Sequence, residues 1–155
     1  MIPQFNRLSQ EEQEFMYKAP ILVSILIAGA DGDIDRSEIR EGLAQSKKKN
    51  RNAGMELMEL YRQISEDFED KLKIVLQGYP VEASHRNSLI AEELTRMNSL
   101  FPKLDRGFAA QYYKSICDIA MKVAQSSGGL LGMNSVGSAE ARYVKLPMIK
   151  DPSAN

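Results

Sequence analysis

Four acidic side chains crowd into one short segment of the chain: Asp31, Asp33, Asp35 and Glu38. Carboxylate oxygens are the ligands that hard cations such as Ca²⁺ and Mg²⁺ prefer. The segment departs from the calcium loop of an EF-hand, because Arg36 replaces the glycine at its sixth position and Gly42 replaces the glutamate at its twelfth. The sequence therefore predicts a divalent cation that is weakly held or that keeps several of its waters.

An architectural interpretation of the same segment stays open. Asp35 and Glu38 have the spacing of a cap at the start of a helix, where the helix dipole favours carboxylates. Asp31 and Gly32 form a dipeptide that is common in turns. In this interpretation the acidic segment begins a helix and binds no ion.

Residues for other chemistry are scarce. The single cysteine, Cys117, and the single histidine, His85, cannot build a Cys/His zinc site within one chain. We expect His85 to be a solvated surface residue and Cys117 a small buried hydrophobe. An enzyme would need a buried carboxylate with a shifted pKa, such as Asp118, in a cleft. The sequence favours a protein that is not an enzyme.

Charge and hydropathy exclude further classes. Twenty lysines and arginines against twenty-one acidic residues give a net charge of −1, so nucleic acid is not an expected partner. The basic cluster 47–51 carries no aromatic residue for stacking on bases and is typical of a solvated helix end. The longest apolar run, 19–30, is too short for a bilayer, and the start does not resemble a signal peptide. We expect a cytoplasmic protein without membrane insertion.

The elements that must position these residues are helices, because apolar residues recur at spacings of three and four. The sequence predicts an all-α bundle of about seven helices. The predicted helices run from a Ser9 cap to about Lys18, Pro20 to Gly29, Asp35 to the polar run 45–52, Ala53 to Gly78 with a break near Ser65, Glu82 to Leu100, Asp105 to Ser126, and Ser138 to Leu146. Leu89, Ile90, Leu94, Met97 and Phe101 are predicted to point inward.

The segment 27–38, in which an apolar helix end leads into Ala-Asp-Gly and a glutamate follows, resembles the signature of the TerB-like domains associated with tellurite resistance. The segment 127–133 with Ser138-Ala139-Glu140 is similar to the second-half motif of one branch of that family. The resemblance covers about 20–146, leaving an N-terminal helix at 1–19 and a flexible tail at 147–155. Family members tend to have aspartate where Ser127 stands.

This resemblance implies a compact helical fold with two related halves, each bearing an acidic or glycine-rich loop. It also implies a role in tellurite or chemical stress response, with suspected metal binding and no established catalysis. The implied metal residues are Asp31, Asp33, Asp35 and Glu38, with a second-half loop of Ser127, Gly128 and Glu140. The alternative is a metal-free interaction module that docks another protein through an apolar groove between the halves.

Overall fold

A computed structural model describes residues 3–29, residue 39, residues 54–128 and residues 142–153, with the backbone alone for residues 4 and 126–128. Within these ranges the chain is helical and has no strand, which confirms the all-α class. The α-helices are α1 (Gln10–Ala28), α2 (Met55–Ser65), α3 (Phe68–Gln77), α4 (Ala83–Leu94), α5 (Met97–Leu100) and α6 (Arg106–Gly128), and 3₁₀ helices cover Pro3–Arg7 and Phe101–Lys103.

The helix α1 lies at the centre of the fold. It begins with the predicted capping box, in which the Ser9 N–H donates to Glu12 Oε1 at 2.8 Å and the Glu12 N–H donates to Ser9 Oγ at 3.1 Å. Every residue from 19 to 28 is buried, and α1 packs against α3, α4 and α6. A helix that is apolar on all faces must be buried on all faces, and this expectation is confirmed.

The predicted helix boundary between Lys18 and Pro20 is wrong, because α1 continues through Pro20. A proline within a helix has no N–H for the carbonyl four residues earlier, here that of Met16. The buried Tyr112 hydroxyl of α6 donates to the Met16 carbonyl oxygen at 2.7 Å and supplies the missing partner. The Ser24 hydroxyl donates to the Pro20 carbonyl oxygen at 2.9 Å. A contact from a distant helix thus allows α1 to stay continuous.

The predicted break near Ser65, between α2 and α3, is confirmed. Between them Asp67 has a φ of 52°, in the left-handed region that aspartate tolerates better than most residues. The helix α2 buries Leu57, Leu60, Tyr61 and Ile64, whereas α3 fully buries Leu72 and packs Phe68, Val75 and Leu76 partly against the core. Gly78 ends α3, as predicted.

The single helix predicted over 82–100 is wrong, because the chain leaves the α-helix at Thr95 and resumes at Met97. The Thr95 hydroxyl donates to the Glu92 carbonyl oxygen at 2.6 Å, and backbone bonds of the i to i+3 type follow. Threonine side chains that bond to nearby carbonyls compete with the helix in this way. Leu89, predicted to point inward, is 37% exposed, whereas the other four predicted inward residues are buried.

The helix α6 packs along α1 and carries the predicted buried face of Phe108, Tyr112, Ile116, Ile119 and Val123. Asp105 caps it, since the Phe108 N–H donates to Asp105 Oδ2 at 3.1 Å. The Ser115 hydroxyl donates to the Tyr112 carbonyl oxygen at 2.7 Å, so the Tyr61 hydroxyl, 2.6 Å from Ser115 Oγ, must be the donor in that pair. This buried network joins α2 to α6.

The C-terminal segment lies against α5. Residues 142–145 form a turn, at the place where the sequence predicts the end of a short helix. The Asn98 side chain donates to the Met148 carbonyl oxygen at 3.0 Å and accepts from the Lys150 N–H at 2.8 Å, on either side of the buried Ile149. The sequence predicts a flexible tail from residue 147, yet these contacts hold its first residues on the body of the fold.

Candidate functional site

The acidic segment with Asp31, Asp33, Asp35 and Glu38 lies outside the described residues, as does most of the helix predicted to follow it. Ile39 is described singly, and it is helical and buried. The structure does describe the element that leads into the segment. The helix α1 ends at Ala28, and the Gly29 N–H donates to the Ile25 carbonyl oxygen at 2.8 Å. The acidic segment therefore follows directly from the most deeply buried helix.

Two side chains of α4 hold the end of α1. Arg86 Nη2 donates to the Gly29 carbonyl oxygen at 2.8 Å, and Asn87 Nδ2 lies 3.5 Å from the same oxygen. Arg86 Nη1 donates to the Val81 carbonyl oxygen at 3.1 Å. The last carbonyls of a helix lack partners within the helix and carry partial negative charge, which cationic side chains stabilise. Arg86 thus caps α1 from a neighbouring helix.

Arg86 and Asn87 are buried, with only 4% and 3% of their surface exposed. Burial lowers the pKa of the Arg86 guanidinium, and the charge of Glu82 acts in the opposite direction. Within the described ranges Arg86 forms no ion pair, and Arg86 Nε and Asn87 Oδ1 are buried without a hydrogen-bond partner. A buried charge without an opposite charge is costly. Among the described residues, Arg86 is the one charged side chain that is buried.

The spacing of α4 contained a signal for this junction. Arg86, Ile90 and Leu94 are four residues apart, so Arg86 lies on the face of α4 that buries its apolar residues. A charged residue at a core position is the exception that calls for an explanation. The partner, Gly29, is 57 residues away in the chain, and no local pattern points to that contact.

The second-half motif is described only in part. Ser127 and Gly128 are the last residues of α6 rather than residues of a loop, and Glu140 lies outside the described residues. The predicted basic cluster at 47–51 lies outside them too. In the ranges that the structure does describe, no group of three or more His, Cys, Asp or Glu side chains is arranged to hold a metal ion.

The surroundings of His85, Cys117 and Asp118, the side chains considered for catalysis, are described by the structure. His85 is exposed on the first turn of α4, where its N–H donates to the capping Glu82 carboxylate at 2.7 Å, so its predicted surface position is confirmed. Cys117 is half-buried, and this burial raises the pKa of its thiol, which disfavours the reactive thiolate. Asp118 is also half-buried. Its negative charge helps burial to raise the pKa of Tyr61.

An apolar groove of about 550 Å³ lies between α1, α2 and α3. Its floor includes the buried Ile21 and Ile64, and Ile74 at its edge is 68% exposed. Two lysines line it and are held by the fold: Lys71 donates to the Gln63 carbonyl oxygen, and Lys18 Nζ lies 3.1 Å from Glu93 Oε1. The groove is therefore mostly apolar, with its lysine charges already engaged.

Comparison of the chain with protein-family models, with curated proteins and with solved structures found no match. The class of protein is thus defined by the fold and its features alone. It is an all-α protein whose central buried helix, α1, is capped at its C-terminal end by Arg86 of α4. In the sequence, the acidic segment begins two residues after this capped end. No described helix is long and apolar enough to cross a membrane.

Proposed function

We propose that this chain is a non-enzymatic, TerB-like stress-response domain of the tellurite-resistance kind that binds a divalent cation weakly. The proposed ligands are Asp31, Asp33, Asp35 and Glu38, with Ca²⁺ or Mg²⁺ the ions that carboxylates suit best. The same proposal includes two related halves with about seven helices in total, as the resemblance implies. It also includes a cytoplasmic location and a protein partner.

The observation that carries the proposal is the concentration of four carboxylates in eight residues directly after an anchored helix end. A shared cation relieves the electrostatic repulsion between neighbouring carboxylates. The resulting stabilisation is largest where the fold limits how far the carboxylates can separate. The contacts of Arg86 and Asn87 with Gly29 support this, because they fix the point from which the segment departs.

Thermal unfolding of EDTA-treated protein in millimolar Ca²⁺, Mg²⁺, Mn²⁺ or Zn²⁺ tests the proposal. A cation that binds only the folded state stabilises it by about 2.7 kcal/mol at a hundred times its dissociation constant. We expect a higher melting temperature with at least one ion, and we expect Asp31→Asn with Asp33→Asn to abolish that increase. A matched control removes the exposed Asp67 and Asp70 in the same way and should keep it.

A second candidate function is a metal-free interaction module, and the apolar groove at α1, α2 and α3 favours it. Ile74 is a large aliphatic side chain left 68% exposed at the groove edge, where an apolar partner surface would cover it. The groove between two related halves that the sequence predicts stays a prediction, and this second candidate uses the groove at α1, α2 and α3.

The two functions are separable by substitution. If the module interpretation is correct, the binding of a partner survives the Asp31→Asn and Asp33→Asn changes and is lost in Ile74→Glu. If the cation site is the functional element, the acidic substitutions abolish the response to the ion, and Ile74→Glu leaves it unchanged. A melting temperature that no cation moves would contradict the first proposal.

A further inference from the structure

One face of the described structure combines an apolar groove with an exposed apolar side chain at its edge. The groove of about 550 Å³ between α1, α2 and α3 has the buried Ile21 and Ile64 in its floor. Ile74 of α3 lies at the groove edge and leaves 68% of its surface exposed. Contiguous apolar surface of this kind on a folded domain marks a contact with another molecule.

Two opposite charges lie on the walls of this groove. Glu14 of α1 is exposed and Lys71 of α3 is half-buried, and within the described part of the chain neither forms an ion pair. Lys71 is engaged by the Gln63 carbonyl oxygen, a neutral acceptor that leaves the charge of the ammonium uncompensated. Lys18, by contrast, already pairs with Glu93 at 3.1 Å. The groove thus presents one acid and one base, both available for opposite charges from another molecule.

A surface that binds a second copy of itself needs complementary features within the same patch. In a symmetric dimer, residue i of one copy contacts residue j of the other, and j contacts i in return. The groove and Ile74 are complementary in shape, and Glu14 and Lys71 are complementary in charge. We propose that this face is a symmetric dimer interface, in which Ile74 of each copy enters the groove of the other and Lys71 of each copy pairs with Glu14 of the other.

The size of the patch sets the strength of the dimer. Nine residues line the groove, whereas a standard stable interface uses about 20–30 residues on each side. We therefore expect a weak dimer, with a dissociation constant in the micromolar to millimolar range. Each contact occurs twice because of the symmetry, so a single substitution removes two contacts. The dimer is a specific form of the interaction module, the second candidate function, and rests on it.

The first experiment measures self-association by sedimentation equilibrium over micromolar to millimolar concentrations of the chain. We expect Ile74→Glu to weaken the dimer at least about 100-fold, because two buried aliphatic contacts are lost. The matched control is Val81→Glu, since Val81 is 92% exposed and does not line the groove; it should leave the dissociation constant unchanged. A chain that stays monomeric at millimolar concentration, or a dimer that Ile74→Glu leaves intact, would overturn the proposed dimer.

The second experiment uses reversed charges in two separate chains. Lys71→Glu and Glu14→Lys each place like charges opposite one another, and loss of the two exposed ion pairs alone should weaken each dimer about 2-fold to 30-fold. A mixture of the two variants restores opposite charges at both contacts, so we expect it to form a dimer as tightly as the parent chain. Lys73→Glu, at an exposed position of α3 outside the groove, is the control and should change nothing. A mixture no tighter than the single variants would refute the pairing and the interface with it.

The third experiment uses the parent chain alone and so does not depend on any variant folding. Isotopically labelled and unlabelled copies are mixed and treated with a carbodiimide, which joins a carboxylate directly to an amine that contacts it. We expect a Glu14–Lys71 cross-link between a labelled and an unlabelled copy. Cross-links confined to one copy would count against the dimer.

The failure of the dimer and the failure of the second candidate function have different signatures. A monomeric chain that binds a different protein, and loses that binding in Ile74→Glu, would overturn the dimer and uphold the interaction module. A chain in which Ile74→Glu changes neither self-association nor the binding of any protein would overturn both. The melting test with cations decides the acidic segment independently of either result.

Discussion

Replacement of Tyr112 by phenylalanine removes a single hydroxyl group from the centre of the fold. The hydroxyl donates to the Met16 carbonyl oxygen at 2.7 Å, and Pro20 cannot provide the donor that this carbonyl would otherwise have in a helix. The ring contacts with Phe101 and Phe108, at centroid distances of 6.2 and 6.3 Å, remain available to phenylalanine. The substitution therefore isolates one hydrogen bond.

A buried carbonyl that loses its partner costs about 1–3 kcal/mol. We expect Tyr112→Phe to lower the free energy of unfolding by about 2 kcal/mol in urea titrations followed by circular dichroism. In a chain of this size that corresponds to a melting temperature lower by about 4–8 °C. The dependence of the free energy on urea should not change, because the surface exposed on unfolding is nearly the same.

The control is the same substitution in a Pro20→Ala background. Alanine restores an N–H that can donate to the Met16 carbonyl, so Tyr112→Phe should cost clearly less there than in the parent chain. An equal cost in both backgrounds would refute the explanation that Tyr112 compensates for the proline. A cost below about 0.5 kcal/mol in the parent chain would refute it as well, since that is the range of neutral substitutions.

Three further predictions follow from described contacts. Hydrogen bonds from Arg62 and Gln63 lower the pKa of Glu59 to about 2. Arg62→Gln should therefore raise the pKa of Glu59 in an NMR titration. The stability that the Glu59 carboxylate contributes is present above its unfolded pKa and is lost as the pH falls toward 2. Because burial raises the pKa of Cys117, iodoacetamide should modify the folded chain at pH 8 more slowly than the urea-unfolded chain, and equal rates would contradict this. Leu72→Ala should cost about 2–5 kcal/mol because Leu72 is fully buried, whereas the exposed Ile74→Ala on the same helix should stay within about 0.5 kcal/mol in the same urea assay.

Local signals were enough to predict much of the fold. The capping box of Ser9 and Glu12 and the cap at Asp105 depend on residues three apart, and both are present. The buried face of α6 follows from a period that is contained within the helix itself. These features are decided by neighbours in the chain, which is why the sequence alone can indicate them.

The errors occur where a distant or competing contact decides the outcome. Pro20 normally indicates a boundary, but Tyr112, which lies 96 residues away from Met16, supplies the missing donor and α1 continues. Thr95 lies in a helical pattern, yet its hydroxyl bonds to the Glu92 carbonyl and the α-helix is interrupted. Asn98 secures the C-terminal segment across a separation of 50 residues. Composition and periodicity carry no information about such pairings.

The two long-range contacts at α1 have a common physical cause. A central helix buried on every side has no water to satisfy the carbonyls that its proline and its end leave without donors. Tyr112 supplies a donor to Met16, and Arg86 supplies one to Gly29. A neutral hydroxyl suffices for the first, whereas the second donor belongs to a charged side chain that is itself buried. Arg86 also donates to the Val81 carbonyl oxygen at 3.1 Å, so its two Nη groups join the end of α1 to the residues that precede α4.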